Sequence, residues 1–105
     1  MKVVGFDWDD GNLAKCQKHG VGIGDIEALL LTSEQVSPDL RHSFVEQRLV
    51  AVGTNSAGRP IFVGFTLRQI DGQTLLRPIT ARYMHAKEAK NYGTGKAPAS
   101  PADDQ

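Results

Sequence analysis

Apolar and polar positions alternate through the middle of the chain, between residues 45 and 83. Residues 45–51 have the two-residue period of a half-buried strand, and residues 61–67 are rich in β-branched and aromatic side chains. Turn signals at residues 55–58 and at Asp71-Gly72 separate these runs from each other and from a third. The pattern predicts a three-strand antiparallel meander.

Shorter elements precede this meander. An apolar run over residues 2–6 suits a strand, and a helix over residues 12–19 follows, capped by Asp9 or Asp10 and ended by Gly20. The helical spacing of apolar side chains over residues 21–31 predicts a second helix. Residues 32–44 resemble a loop, with a short strand at Gln35 and Val36.

The end of the chain is predicted to hold a short helix over residues 86–92 and then a tail rich in Gly, Pro and Ser. We therefore expect one domain over residues 1–92 and a disordered tail over residues 93–105. The element order predicts an α+β fold, with helices on one face of a small, mainly antiparallel sheet.

The register of the meander predicts a shared polar face. If the apolar side chains of residues 49–67 face the core, then Glu46, Arg48, Thr66 and Arg68 lie on the opposite face. A two-residue turn at Asp71-Gly72 pairs Ile70 with Gln73 and Leu67 with Leu76.

Strict alternation beyond that turn places Arg77 beside Arg68 and turns Arg82 toward the apolar side. Pro78 changes this expectation, because proline cannot donate to a sheet ladder and is found at edges and bulges. We predict a bulge near Pro78, which returns Arg82 to the face of Arg68.

Composition limits the function classes. Lys+Arg and Asp+Glu number 12 each in 105 residues, so the net charge is zero, which argues against bulk electrostatic capture of nucleic acid but permits a local basic patch. One cysteine, Cys16, excludes an internal disulfide, and the three histidines lack metal-ligand spacing. We expect no metal or cofactor, no membrane segment and a cytoplasmic location.

Four blocks of sequence, in order, resemble the BrnT-like toxin family. They are Phe6-Asp7-Trp8-Asp9 with Lys18-His19-Gly20-Val21, Glu46-x-Arg48 leading to Gly53, Gly58-Arg59 leading to Phe65-Thr66-Leu67-Arg68, and Ile79-Thr80-Ala81-Arg82. The resemblance covers about residues 4–92. It implies a RelE-like fold and a metal-independent endoribonuclease, the toxin of a type II toxin–antitoxin pair. It also implies a DNA-binding antitoxin of ribbon-helix-helix type, without which the toxin binds no DNA.

The resemblance carries functional roles to Lys18, Glu46, Arg68 and Arg82. RNA cleavage needs a base, charge stabilisation and a proton for the leaving oxygen. Glu46 suits the base, the two arginine forks suit a phosphate, and Lys18 suits an added charge or an acid. Substrate-binding candidates are Arg48, Arg77, Tyr83 and His85.

Each of these residues also has a structural interpretation. On local pattern alone, Glu46 with Arg48 or Arg68 is more typical of a solvated cross-strand ion pair than of a catalytic site. Lys18 is likewise typical of a positive charge that complements the C-terminal end of a helix. The alternative function is a non-catalytic protein- or RNA-binding module on the same fold, a degraded toxin homologue. The zero net charge, glycines in the helices and Thr80 in place of the family's usual serine favour that alternative.

Overall fold

The computed structural model describes residues 3–32, 35–38 and 47–93. The prediction of an α+β fold class is confirmed. Glu46 and the tail beyond residue 93 lie outside the described residues. The elements in chain order are β1 (Val3–Phe6), α1 (Asp10–Gln17), α2 (Ile23–Thr32), β2 (Gln35–Pro38), β3 (Arg48–Thr54), β4 (Pro60–Ile70), β5 (Gln73–Tyr83) and α3 (Ala86–Gly93).

The described strands form one mixed sheet in the order β1-β5-β4-β3-β2. The β2–β3, β3–β4 and β4–β5 pairs are antiparallel, whereas β1 pairs with β5 in parallel. β2 extends the two-residue strand that the sequence predicts at Gln35 and Val36. The sheet thus consists of the antiparallel strands β3, β4 and β5 with one further strand at each edge, β2 beside β3 and β1 beside β5. None of the described helices is long and apolar enough to cross a membrane.

The β4–β5 hairpin turns at Asp71 and Gly72, as predicted. Both residues have positive φ, 51° and 75°, which is the conformation that the two-residue hairpin turn requires. The observed pairs Ile70–Gln73 and Leu67–Leu76 confirm the predicted register.

The predicted bulge near Pro78 is also present. Phe65 pairs with Pro78, but the next ladder pair joins Gly64 to Thr80, so Ile79 is the extra residue of β5. Beyond this point Arg82 pairs with Phe62. The bulge therefore places Arg82 on the same face of the sheet as Thr66 and Arg68.

Helices α1 and α2 cover one face of the sheet, here called the helix face. Their contacts with the sheet bury the main core, which comprises Cys16, Val21, Ile26, Leu29, Ala51, Ile61, Val63, Phe65, Leu76 and Ala81. α2 approaches β3 closely, since a Cβ added at Gly53 would lie 3.2 Å from Cγ of Leu29. The helix layer is thus seated directly on the strands.

Asn12 joins α1 to the sheet. Its side chain and that of Asp9 form a reciprocal cap, in which Asp9 N–H donates to Asn12 Oδ1 (2.7 Å) and Asn12 N–H to Asp9 Oδ1 (3.0 Å). The Asn12 amide also donates to the carbonyl oxygens of Asp7 (2.9 Å) and Pro78 (2.7 Å). One buried side chain therefore holds the helix start, the end of β1 and the bulge.

The opposite face of the sheet is covered at one end by α3, so the expectation that the helices lie on one face is wrong for α3. There Ala89 packs against a second buried cluster made by Val50, Val52, Phe62 and Met84. The rest of this face carries mainly polar and charged side chains, together with the apolar Leu75, which pairs with Arg68, and Ile70 near the end of β4.

Candidate functional site

Five polar residues lie on the face opposite α1 and α2, which is here called the arginine face. They are Arg48 on β3, Thr66 and Arg68 on β4, and Arg77 and Arg82 on β5. Ladder partners in an antiparallel pair point to the same side of the sheet. The pairs Arg48–Thr66, Thr66–Arg77 and Phe62–Arg82, with the two-residue period of β4, place all five on the same face.

Thr66 lies at the centre of this face. Arg48 pairs with it from β3 and Arg77 from β5, so the three residues form one row across the sheet with Cα atoms about 5 Å apart. Thr66 is only 3% exposed, and its hydroxyl has no hydrogen-bond partner among the described residues. A buried hydroxyl without a partner is unusual in a folded protein.

Arg77 is held by two carboxylates from the N-terminal part of the chain. Its guanidinium donates to Asp9 Oδ2 at 2.8 Å and to Asp7 Oδ2 at 3.3 Å. The Asn12 backbone N–H and then Arg77 lower the pKa of Asp9, and Asp9 in turn raises the pKa of Arg77. These contacts fix Arg77 and offset its charge.

Arg82 is held by the C-terminal helix. Its guanidinium donates two hydrogen bonds of 2.8 Å to the carboxylate of Glu88 and lies over the ring of Phe62, 4.5 Å from the centroid. The Arg82 and Glu88 side chains are only 12% and 14% exposed. Arg82 therefore fastens α3 to the sheet.

Arg68 differs from Arg77 and Arg82 because it is exposed, and its side chain makes no ion pair or hydrogen bond with the described residues. Six residues separate it along β4 from Phe62, the ladder partner of Arg82, which corresponds to about 20 Å. Arg68 and Arg82 thus share a face but lie at opposite ends of it.

The other predicted site residues lie elsewhere. Lys18 is exposed at the C-terminal end of α1, in the layer on the helix face. Tyr83 pairs with Ile61 and packs with the helix-face core, where Arg59 stacks 3.6 Å from its ring centroid. His85 is exposed between β5 and α3. The structure brings Arg48, Arg68 and Arg77 together and does not bring Lys18, Tyr83 or His85 to them.

The described residues offer few other reactive groups. Burial raises the pKa of the Cys16 thiol to about 11, so the thiol stays protonated near neutral pH. Within residues 3–32, 35–38 and 47–93, no three His, Cys, Asp or Glu side chains come together as metal ligands. The chemistry that the arginine face supports is binding of an anion by guanidinium and hydroxyl donors.

Sequence reasoning missed three carboxylate partners of the arginines. Asp7 and Asp9 are separated from Arg77 by 70 and 68 residues, and only the parallel pairing of β1 with β5 brings them close. Glu88 was visible as an acidic residue in the first turn of the last helix, but nothing local indicates that it reaches Arg82. The lack of a hydrogen-bond partner for the Thr66 hydroxyl among the described residues likewise becomes visible only in the packed sheet.

Comparison with protein families gives a match over most of the chain. The model of the BrnT ribonuclease toxin of type II toxin–antitoxin systems matches residues 8–88. The matched segment begins just before α1 and ends at Glu88 in α3, so it includes every residue of the arginine face. No curated protein matches the chain.

Proposed function

Since the chain belongs to the family of BrnT ribonuclease toxins of type II toxin–antitoxin systems, we propose that it is an active, metal-independent endoribonuclease that cleaves RNA on the arginine face. The observation that carries this proposal is the row Arg48–Thr66–Arg77 with exposed Arg68 beside it. Guanidinium and hydroxyl donors on one face suit the oxygens of a phosphodiester. The family's RelE-like fold is part of the same proposal.

In the proposed reaction, Glu46 removes the proton of a ribose 2′-hydroxyl, as the resemblance implies. The 2′-oxygen bonds to phosphorus, the bond from phosphorus to the 5′-oxygen breaks, and that oxygen takes up a proton. The products are a 2′,3′-cyclic phosphate and a 5′-hydroxyl. Arg68 stabilises the charge that develops on the phosphorus oxygens. Lys18 and Arg82 lie apart from Arg68, so variants test their contributions separately.

A type II toxin requires an antitoxin, and we propose one of the ribbon-helix-helix type that binds DNA as part of the complex. The toxin is proposed to act in the cytoplasm, where its RNA substrate is found, and to bind no DNA by itself. A reading frame beside this one that encodes such a protein, and that restores growth when expressed with the toxin, is the expected finding. If the neighbouring protein does not bind the chain, this part of the proposal fails.

The test of activity is cleavage of a single-stranded RNA by the purified chain in the presence of EDTA. We expect products with 2′,3′-cyclic phosphate ends, unchanged by the chelator. Arg68→Ala should slow cleavage roughly 100-fold, the effect of losing one donor to developing charge, and Glu46→Gln should abolish it. Lys15→Ala is the matched control, because it removes one positive charge from an exposed position on α1.

Expression in cells gives a second measurement. The wild-type chain should arrest growth, and Arg68→Ala and Glu46→Gln should not, at equal protein levels. A wild-type chain that is harmless, leaves RNA intact and still co-purifies with an antitoxin would contradict the enzyme and support the second candidate, a non-catalytic binding module. That candidate is favoured by one observation, that carboxylates already occupy Arg77 and Arg82.

A further inference from the structure

We propose that the hydroxyl of Thr66 is a substrate-binding group, which donates a hydrogen bond to a phosphate oxygen of the RNA held on the arginine face. This inference rests on the proposed function, since it names a contact within the same site. Neither the family resemblance nor the alternation of the strands assigns Thr66 a role. Its burial and its unpartnered hydroxyl do.

The chemical environment of the hydroxyl indicates its ligand. A buried hydroxyl that lacks a partner destabilises the fold, so a ligand that supplies the missing acceptor gains affinity. Arg48 and Arg77 flank Thr66 in the ladder, and Arg68 lies two residues along the same strand and face. An acceptor that fits beside guanidinium groups is an anionic oxygen, and a phosphodiester offers two of them.

A second buried hydroxyl without a partner, that of Ser37, allows a comparison. Ser37 pairs with Val50, so its ladder neighbour is apolar. Thr66 is the one of these two hydroxyls that has an arginine on each neighbouring strand. Of these two buried hydroxyls, that of Thr66 therefore combines a missing partner with flanking positive charge.

Access to the hydroxyl requires a side-chain movement, because its oxygen is buried. Exposed arginine side chains change rotamer within nanoseconds, and the exposed Arg68 next to Thr66 on the same face can move in this way. The bound phosphate then contacts Arg68 and Thr66 together, while Asp7 and Asp9 keep Arg77 in place.

The experiment uses three variants of the full chain and two RNA probes. Thr66→Val removes the hydroxyl and keeps the shape, whereas Thr66→Ser keeps the hydroxyl. Thr74→Val is the control, because Thr74 is also buried but lies on the helix face and accepts a hydrogen bond of 2.7 Å from Gln69. Affinity is measured by anisotropy with a 2′-O-methyl RNA, which cannot be cleaved, and activity with the matching unmodified RNA.

Thr66→Val should weaken binding of the 2′-O-methyl RNA about tenfold, the effect of one hydrogen bond to a charged group, while Thr66→Ser stays within about twofold of wild type. The melting temperature of Thr66→Val should equal or exceed that of wild type, because this substitution removes a hydroxyl that has no hydrogen-bond partner among the described residues. Thr74→Val should bind normally and melt at a lower temperature.

Three results would overturn the proposal: unchanged affinity in Thr66→Val, equal losses in Thr66→Val and Thr66→Ser, or a melting temperature for Thr66→Val as low as that of Thr74→Val. The last would show that the hydroxyl already has a partner in the fold. A wild-type chain that binds the uncleavable RNA through Thr66 but leaves the unmodified RNA intact would refute the ribonuclease and retain this contact. A chain that binds neither RNA refutes both.

Discussion

The contact between Arg82 and Glu88 gives a sharp test of how α3 is held. Replacing Glu88 by Gln keeps the size of the side chain but removes its charge and one of the two matched acceptors of the guanidinium. Arg82 then remains largely buried beside a neutral amide in place of the Glu88 carboxylate. Breaking a buried ion pair costs about 3–5 kcal/mol. Because the two side chains keep exposures of 12% and 14%, we expect a loss at or just below the lower end of that range, about 2–3 kcal/mol.

The loss is measured by urea unfolding, followed both by fluorescence of Trp8, the only tryptophan, and by circular dichroism, so that the two-state assumption is checked. For a domain of this size, a loss of about 2 kcal/mol lowers the melting temperature by roughly 10 °C. Lys87→Gln is the control, since it changes one charge at an exposed neighbouring position on α3 and should alter stability by less than about 0.5 kcal/mol.

A double-mutant cycle with Arg82→Met isolates the pair from other contacts of the two residues. We expect a coupling free energy of about 1 kcal/mol or more. If Glu88→Gln unfolds like the Lys87→Gln control, or if the cycle gives no coupling, the pair is solvated and does not fasten α3.

Three further predictions address the N-terminal part of the chain. Asn12→Ala removes two hydrogen bonds that the side chain donates and one that it accepts, and should lower the free energy of unfolding in urea by about 3 kcal/mol. Asn12→Asp, which keeps only the accepting oxygen, should also be destabilised. Asp9→Asn keeps the cap but not the charge. Because the pKa of Asp9 is lowered in the fold, the stability that its charge contributes is present above the ordinary pKa of 3.8 and is lost as the pH falls through the lower folded-state value. The melting temperature of Asp9→Asn should therefore fall less steeply than that of wild type below about pH 4. Identical dependence of the two melting temperatures on acid pH would contradict the pairing of Asp9 with Arg77. The Cys16 thiol, with a pKa of about 11, should resist iodoacetamide at pH 8 in the folded chain and react quickly in urea; rapid alkylation without denaturant would show that the thiol is accessible.

Local rules predicted the details of β4 and β5 well. The Asp71-Gly72 turn determines the hairpin register, because few residues adopt two successive positive φ angles, and Pro78 marks the bulge because it lacks an N–H group. Both signals act within a few residues of the structure that they specify. The face occupied by Arg82 follows from these two features alone.

The partners of the arginines could not be predicted in the same way. Asp7 reaches Arg77 only because β1 joins β5 in parallel, and Glu88 reaches Arg82 only because α3 folds back onto Phe62 and Val52. Such contacts depend on the assembled sheet and leave no periodic pattern in the chain. The role of Glu46 stays a prediction, because it lies outside the described residues.

The parallel pairing of β1 with β5 also constrains when this protein can complete its fold during synthesis. Val3 pairs with Thr74, and Asp7 meets Arg77 across 70 residues, so the N-terminal strand has no place in the sheet until β5 has left the ribosome. At about 5–20 residues per second, those 70 residues take several seconds to make. The arginine face is therefore assembled late, and an antitoxin already present in the cell has that interval in which to meet an unfinished chain.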